Sequence, residues 1–332
     1  MNEFGAVEAE LAADAERSAR HVARQRLLER VFRGTTLMMA LVVLVLLGGV
    51  AVSLVHGAWP AFSRFKLAFL VRQVWNPVTD EYGALAAIYG TLLTSVISML
   101  FAVPISFGIA VFLTELAPAW LKRPVGMAIE LLAAVPSIIF GVWGLFVFAP
   151  ILQDHAQPWI IDTLGALPGV GRLFQGPPFG IGMLTAGIVL AIMIIPFISA
   201  VMRDVFETVP DMLKESAYGL GATTWEVIWQ VVVPYSRKGM MGGTMLGLGR
   251  ALGETMAVTF VIGTAHEISA SLLAPGTTIS ATIASEFTEA TTPLYRSSLI
   301  ALGVLLFLIT FSVIAVARFM LQRLDRRALS SV

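Results

Sequence analysis

The chain has 332 residues, of which 57% are hydrophobic and only 13% are charged, and its mean hydropathy is +0.82. About a quarter of the residues in a soluble domain are charged, so this composition excludes an ordinary water-soluble protein. The formal net charge is zero, which gives no indication of a nucleic-acid partner, and the absence of cysteine excludes disulfide and thiol chemistry. We therefore expect an all-α integral membrane protein.

Six apolar stretches are long enough to cross a bilayer, whose hydrocarbon core of about 30 Å needs about 20 helical residues. They lie at residues 35–55, 84–113, 125–152, 179–202, 239–263 and 297–320. Pro104, Pro136 and Pro196 fall inside three of them. We interpret each proline as a kink within a span, because neighbouring helices or water can satisfy the carbonyls that it frees.

The polar leader, residues 1–34, precedes the first span. A helix here would carry an apolar edge near the membrane, made of Leu27, Leu28, Val31 and Phe32. This pattern predicts a cytoplasmic helix lying at the interface, and a solvated tail is the alternative as far as Arg20. No small-residue cleavage site precedes Trp59, so the first span, 35–55, is expected to be an uncleaved anchor.

The distribution of basic residues sets the expected orientation. With the N-terminus inside, the cytoplasmic segments hold sixteen Lys and Arg residues and the outside segments hold five. This asymmetry satisfies the positive-inside rule, so we expect both termini in the cytoplasm. Residues 203–238 are then the longest inside loop, 84–320 form the main transmembrane domain, and 321–332 are a cytoplasmic tail.

Three segments are expected outside, at residues 56–83, 153–178 and 264–296. The first two carry aromatic residues typical of interfacial anchoring, namely Trp59, Trp75, Tyr82 and Trp159. Any of the three segments could contact an external partner. We find no Walker-type phosphate loop, so the chain is not expected to hydrolyse nucleotide itself, and no catalytic or metal-binding residue is predicted.

Ser137 follows Pro136 within the third predicted span. Its hydroxyl could meet a passing anion, or it could satisfy a carbonyl that the proline frees, which is the more common role. Ser137 is therefore a candidate for lining a substrate path, with the structural role as the alternative.

The inside loop carries the most specific motif of the chain. It reads Glu-Thr-Val-Pro-Asp-Met-Leu-Lys-Glu-Ser-Ala-Tyr-Gly-Leu-Gly-Ala-Thr-Thr-Trp-Glu-Val-Ile-Trp-Gln-Val-Val-Val-Pro over residues 207–234. This segment resembles the EAA loop of ABC-importer permeases, Glu-Ala-Ala-x3-Gly-x9-Ile-x-Leu-Pro. The motif positions hold Glu215, Ser216, Ala217, Gly221, Val231, Val233 and Pro234. Ser216 replaces the usual second alanine and valines replace Ile and Leu, without a change of spacing.

The resemblance implies that this loop is the lever on which a separate ATPase acts. Ala217 and Gly221 are four residues apart and would share one face of a short helix, where small side chains let a partner's backbone approach. Gly221 could also end the helix in a left-handed cap. Pro210 and Pro234 bracket the unit. An ordinary amphipathic loop between two spans is the alternative.

Two pairs of glycines in the fifth span have small-x3-small spacing, Gly243 with Gly247 and Gly249 with Gly253. Such pairs permit close helix approach in lipid. They predict that this helix lies against a helix of a partner subunit, at or beside the substrate path. Packing within the same chain is the alternative.

Arg250 and Glu254 lie near the centre of the same span. An arginine there costs at least about 2.5–3.5 kcal/mol and usually faces a bundle interior or a wet cavity. At i and i+4 the two side chains would share one face and could form an ion pair. We interpret them as substrate-facing charges, because a guanidinium offers paired planar donors that fit an oxyanion. A purely structural pair is the alternative.

Four further strings narrow the resemblance. They are Trp-Asn-Pro-Val-Thr-Asp-Glu-Tyr-Gly at 75–83, Glu-Leu-Leu-Ala-Ala-Val-Pro-Ser-Ile-Ile-Phe-Gly-Val-Trp-Gly at 130–144, Ile-Pro-Phe-Ile-Ser at 195–199 and Gly-Arg-Ala-Leu-Gly-Glu-Thr-Met-Ala-Val at 249–258. From residue 75 to its C-terminal end, the chain resembles the permease subunits of phosphate ABC transporters, which are type I importers of the MetI-like permease family.

This resemblance implies a type I ABC-importer permease fold with six transmembrane helices, in a bacterial cytoplasmic (inner) membrane. It implies no cofactor on this chain, with ATP and Mg²⁺ on a partner ATPase. The implied partners are a PstA-like permease, two copies of a PstB-like ATPase and a PstS-like periplasmic phosphate-binding protein. PhoU and a sensor kinase belong to the same systems.

Three other functions are weighed. An ABC permease for molybdate or sulfate is not separable from a phosphate permease by the chemistry of the sequence. A proton-coupled secondary transporter usually shows repeated halves with broken helices, and we find no such repeat. A membrane scaffold would leave Arg250 and Glu254 unexplained.

Overall fold

The computed structural model describes the backbone of residues 3–329 and the side chains of residues 24–319. Within this part of the chain the secondary structure is helical, apart from one isolated antiparallel bridge between Asn76 and Glu81. The predicted all-α fold is therefore confirmed. The helices are α1 Glu3–Phe65, α2 Ala68–Val71, α3 Leu85–Val111, α4 Ala119–Ala133, α5 Ser137–Trp143, α6 Ala149–Ile151, α7 Gln157–Thr163, α8 Met183–Glu207, α9 Asp211–Gly219, α10 Thr224–Val227, α11 Val233–Gly253, α12 Met256–Ile262, α13 Ile279–Glu286 and α14 Pro293–Leu329.

Single wider turns, of the π type, join several of these helices into longer rods. They lie at Phe112–Leu116, Gly144–Phe148, Leu152–Ala156 and Ile228–Val232. The rods that result are Leu85–Leu116, Ser137–Thr163 and Thr224–Gly253. A π-turn inserts one residue into the helical ladder without ending it, so each rod stays continuous.

The chain divides into two units, Met1–His56 and Gly57–Val332. The described part of the first unit lies within α1, and its apolar stretch has none of its residues buried, as expected of a helix whose surface faces lipid. The leader, 3–34, has a helical backbone, and its position at a membrane surface stays a prediction. The last residues of the predicted C-terminal tail, 330–332, lie outside the described residues.

Five described helices are long and apolar enough to cross a membrane, and the count rises to six if α11 and α12, with a bend of 58° between them, form one broken span. Six spans were expected. Pro104 and Pro196 lie inside α3 and α8, as kinks should.

The third span differs from its predicted bounds of 125–152. Helix α4 ends at Ala133, Pro136 is the residue before α5, and the new rod runs from Ser137 to Thr163. Pro136 therefore separates two helices, and its interpretation as a kink is wrong. The physical reason is that a proline disfavours helical geometry in the residue before it but is well accepted at the start of a helix.

Helix α8 is the centre of the second unit. It packs along α3, and the hydroxyl of Ser106 in α3 donates a hydrogen bond of 3.1 Å to the carbonyl of Ile195 in α8. Its buried side chains include Val189, Ile194 and Ile198. The other rods surround α8, and this arrangement positions the functional elements described below.

Candidate functional site

Two helix breaks lie at the same level of the second unit, one at Pro136 and the other at Glu254. Helices α5 and α12 pack so closely that a β-carbon on Gly141 would stand 3.1 Å from the Cα of Ala257, and one on Gly144 would stand 2.9 Å from Val261. Gly141 meets Ala257, and the later Gly144 meets the later Val261, so the two helices run parallel. One turn earlier, this register places Ser137 level with the break at Glu254.

The second break separates the two predicted substrate-facing charges. Helix α11 ends at Gly253, Glu254 has an extended backbone (φ −69°, ψ 132°), and its Oε1 accepts a hydrogen bond of 3.3 Å from the N–H of Ala257. The guanidinium of Arg250 instead lies over the ring of Phe197, 5.8 Å from its centroid. Within the described residues no ion pair joins Arg250 to Glu254, so the predicted i, i+4 pair is wrong. The helix ends between them and turns their side chains apart.

Ser137 is the first residue of the 27-residue rod Ser137–Thr163. Its hydroxyl makes no hydrogen bond with the described part of the chain, and no side chain caps the rod's first turn. The structural alternative for Ser137, a hydrogen bond to a freed carbonyl, is thus not seen. A free hydroxyl and uncapped N–H groups at a helix start are donors that suit an anion.

The predicted lever is a short helix, α9, that ends at a glycine. Pro210 precedes the helix, and Gly221 follows its C-cap with φ +90°. The N–H of Gly221 donates to the carbonyl of Tyr218 and the N–H of Ala222 donates to that of Ala217, which is the pattern of a Schellman cap. Nothing lies within 4 Å of a β-carbon built at Gly221, so the backbone conformation is what requires glycine there.

The prediction that Ala217 and Gly221 share a partner-facing surface is wrong. Ala217 packs against the hydrophobic core of this chain, together with Ala222. The exposed side of α9 carries large apolar side chains instead, Met212 at 73% and Leu220 at 91% exposure just after the helix. Ala217 packs α9 against its own bundle, and the exposed apolar side chains on the other side are available to a partner.

The remaining motif residues lie around the same helix. Glu215 is exposed, and the hydroxyl of Ser216 donates a hydrogen bond of 2.6 Å to the carbonyl of Met212. Thr223 and Glu226 form a reciprocal capping box at the start of α10. Pro234 lies in the second position of α11, directly after a π-turn.

Three of the four predicted packing glycines of α11 face helices of the same chain. A β-carbon on Gly243 would stand 2.9 Å from Val201 and one on Gly247 would stand 2.5 Å from Ile198, both in α8. The predicted contact with a partner helix is therefore wrong for this pair, because α8 already occupies its surface. Gly249 faces Ile314 of α14, and Gly253 has nothing within 4 Å.

An ion pair that the sequence did not reveal joins α9 to the bundle. Lys214 Nζ lies 2.7 Å from Glu115 Oε1, in the π-turn that follows α3, and both side chains are largely buried. The residues are 99 positions apart, so local patterns cannot predict the contact. The one signal in the sequence is the position of Glu115 at the end of an apolar span, where a carboxylate needs a partner.

A second cluster, the outer cluster, consists of Trp75, Tyr82, His266, Glu286 and Tyr295. The Glu286 carboxylate accepts hydrogen bonds from the indole of Trp75 (2.5 Å), the imidazole of His266 (2.7 Å) and the hydroxyl of Tyr295 (2.8 Å). The rings of Trp75 and His266 stack, as do those of Tyr82 and Tyr295.

The outer cluster changes the interpretation of two predicted anchors. Trp75 and Tyr82 are packed inside this cluster and are not lipid-facing anchors, whereas Trp59 and Trp159 are well exposed. Burial acts to raise the pKa of Glu286, but its three hydrogen bonds outweigh burial and hold that pKa below its ordinary value. Burial, with the nearby Asp80 carboxylate, raises the pKa of Tyr82 to about 12.

Comparison with known sequences finds similarity to membrane transport permeases. Residues 102–329 match the family of binding-protein-dependent transport system inner membrane components. The chain is 61% identical over 318 residues to the phosphate transport system permease protein PstC of Mesorhizobium japonicum, covering 95% of this chain and 97% of that one. It is 58% identical to the protein of the same name from Pasteurella multocida, covering 91% and 94%.

Solved structures support the fold. The chain resembles a subunit of a bacterial alginate ABC transporter in complex with its alginate pentasaccharide-bound periplasmic protein, with a TM-score of 0.55, 19% identity, and coverage of 81% of this chain and 87% of that one. A second structure of an alginate-importing ABC transporter gives the same TM-score at 18% identity, with coverage of 80% and 87%. The predicted fold class of an ABC-importer permease is confirmed.

Proposed function

The chain belongs to the family of phosphate transport permeases among the binding-protein-dependent inner membrane components, and we propose that phosphate crosses it at the level where α5 and α12 begin. The chain is a permease subunit of a phosphate importer. It is a multi-pass membrane protein, and its role is transport rather than catalysis.

The observation that carries the proposed path is the pair of helix breaks at one level. Transporters often bind substrate near the bilayer midplane, where broken helices expose backbone groups. Here the start of the Ser137 rod is uncapped and its hydroxyl is free, while Arg250 lies in the last turn before the other break. The exposed guanidinium supplies a charge that always persists and a planar pair of donors for phosphate oxygens.

Glu254 supports selectivity in this proposal. Only one of its carboxylate oxygens accepts a hydrogen bond within the described residues, and that bond is long. A protonated phosphate oxygen can donate a hydrogen bond to a carboxylate, whereas sulfate has no proton to donate at neutral pH. A sulfate ion would therefore repel the half-buried Glu254 carboxylate and offer it no hydrogen bond, which favours phosphate.

The exposed apolar surface of α9 supports a docking role toward an ATPase. Met212 and Leu220 offer apolar contacts, and Glu215 adds an exposed charge on the same short element. We infer that a PstB-like ATPase, of which the importer contains two copies, docks here. The ATPase carries ATP and Mg²⁺. A PstA-like permease completes the pathway, and a PstS-like protein delivers phosphate on the outside.

The proposed location is the bacterial inner membrane with α9 on the cytoplasmic side. The positive-inside bias supports this orientation, since sixteen basic residues lie on that side against five on the other. PhoU and a sensor kinase are proposed as further partners on the strength of the family alone.

Uptake by reconstituted complexes tests the proposal. The chain, its partner permease, the ATPase and the binding protein are placed in vesicles, and radiolabelled phosphate uptake is measured with and without ATP on the ATPase side. We expect ATP-dependent uptake that excess unlabelled phosphate abolishes and excess sulfate or molybdate leaves unchanged. Uptake without ATP, or equal competition by molybdate, would contradict the proposal.

A further inference from the structure

The ion pair between Lys214 and Glu115 connects the docking helix to the bundle. Its atoms are 2.7 Å apart, and the two side chains are only 15% and 6% exposed. A pair so shielded is screened little by salt, unlike one on the surface. The pair is therefore a lasting link between α9 and the end of α3.

The end of α3 is a junction of three elements. Glu115 lies in the π-turn Phe112–Leu116, and the neighbouring Thr114 carbonyl accepts a hydrogen bond of 2.6 Å from Lys122 of α4. Helix α3 packs on α8, and α4 leads directly to the break at Pro136. A displacement at Glu115 thus reaches both the central helix and the proposed phosphate path.

The other contacts of α9 with its own chain are less specific. Ala217 and Ala222 pack on the core through single methyl groups. Such small apolar contacts permit sliding, whereas a charge-assisted hydrogen bond fixes both distance and direction. Lys214 is thus the directional attachment of α9 in the described structure.

We propose that Lys214 and Glu115 form a strut that transmits the movement of α9 to α3 and α4 during transport. They act as positioning residues, and the proposal rests on the proposed function because it takes α9 as the docking element for the ATPase. Without the strut, α9 is held by its alanine contacts and by its chain connections to α8 and α10, and α3 and α4 follow its movement less closely.

The double variant Lys214→Met/Glu115→Gln removes the strut without leaving a buried charge unpaired. In assembled complexes we expect ATP hydrolysis within about twofold of the unmodified protein and phosphate uptake per ATP reduced by about tenfold. The control Asp162→Asn removes an exposed charge from α7, outside the docking helix, and keeps the unmodified ratio. An unchanged uptake per ATP in the double variant would overturn the proposal.

A covalent link in place of the ion pair tests whether a physical connection between α9 and the end of α3 is what couples them. The chain has no cysteine, so Lys214→Cys/Glu115→Cys introduces the only two thiols. A short thiol-reactive cross-linker between them is expected to restore uptake per ATP that the uncross-linked double variant has lost. If the cross-linked protein stays as uncoupled as before, the strut is not the missing element.

A distance measurement separates this proposal from the identity of the substrate. Spin labels at Asp211→Cys in α9 and Leu100→Cys in α3, both exposed positions, report the separation of the two helices. We expect the same distance with and without ATP in the otherwise unmodified complex, and a shift with ATP once the strut is removed. A shift already present with the strut intact would overturn the strut. Failure to take up phosphate would count against the proposed function alone.

Discussion

The indole nitrogen of Trp75 donates a 2.5 Å hydrogen bond to the carboxylate of Glu286, 211 residues further along the chain. The same carboxylate accepts hydrogen bonds from His266 and Tyr295. One side chain thus holds together the hairpin that follows α2, the segment before α13 and the start of α14. Trp75 and Tyr82 come just before the start of α3, whereas Glu115, the partner of Lys214, follows its end, so the outer cluster and α9 lie at opposite ends of α3.

Replacing Glu286 by Gln should destabilise the protein. An amide keeps the shape but cannot accept three hydrogen bonds as a carboxylate does, so a buried donor loses its partner at a cost of about 1–3 kcal/mol. We expect a lower thermal unfolding midpoint of the purified chain in detergent. Glu267→Gln, at an exposed position, is the matched control and should have no effect. Equal midpoints for both variants would show that the cluster contributes nothing.

The lowered pKa of Glu286 predicts an acid dependence of this stability. A carboxyl whose pKa is lower in the folded than in the unfolded state stabilises fully above its ordinary pKa, and the stabilisation is lost as the pH falls through the folded pKa. The difference in midpoint between the unmodified chain and Glu286→Gln should therefore be constant at neutral pH and shrink below about pH 4.3. A difference that stays the same down to about pH 3 would contradict the lowered pKa.

Substitutions at Gly221 distinguish backbone strain from contact with the ATPase. A side chain in the left-handed conformation costs about 1–2 kcal/mol, and asparagine tolerates it best. We expect Gly221→Asn to keep most of the phosphate uptake, whereas Gly221→Leu loses about tenfold in uptake per ATP. Normal transport by Gly221→Leu would remove this residue from the lever. If asparagine is as harmful as leucine, the ATPase approaches this backbone directly.

Gly247→Val should disrupt the packing of α11 on α8. Its β-carbon would stand 2.5 Å from Ile198, which is fully buried and cannot turn away. Overpacking of this kind costs about 1–3 kcal/mol, visible as a lower unfolding midpoint. Ile198→Ala in the same chain should recover part of the loss, and Gly242→Val, with nothing within 4 Å, should be neutral. A neutral Gly247→Val would argue against this contact.

Particular residues show which parts of the fold and of the candidate site can be predicted from the sequence. The length of the apolar stretches locates the spans, because a helix needs a minimum number of apolar residues to cross a membrane. The spacing from Glu215 to Pro234 locates the lever, because its glycine and prolines determine the local backbone. The sequence alone does not distinguish a break at Pro136 from a kink, because proline occurs both as a kink inside a helix and at the start of a new one. The choice depends on the packing of α5 against α12.

The remaining misses depend on contacts between distant parts of the chain. Nothing near Gly247 indicates whether α8 or another subunit fills the space beside it. The break after Gly253 carries no proline, and it removes the pairing that i, i+4 spacing gives Arg250 and Glu254. Trp75 has the residue type of an interfacial anchor, and only its partner Glu286 shows that it is packed inside.

Phosphate uptake by Arg250→Gln shows whether phosphate passes the helix break beside Arg250. The variant and the control Arg172→Gln, an exposed arginine in an outer segment, are each assembled with the partner permease and the ATPase. We expect Arg250→Gln, and also Arg250→Lys, to assemble and hydrolyse ATP but to lose at least about tenfold in uptake, because neither replacement offers paired planar donors. Near-normal uptake by Arg250→Gln would show that phosphate does not depend on this guanidinium and takes another path.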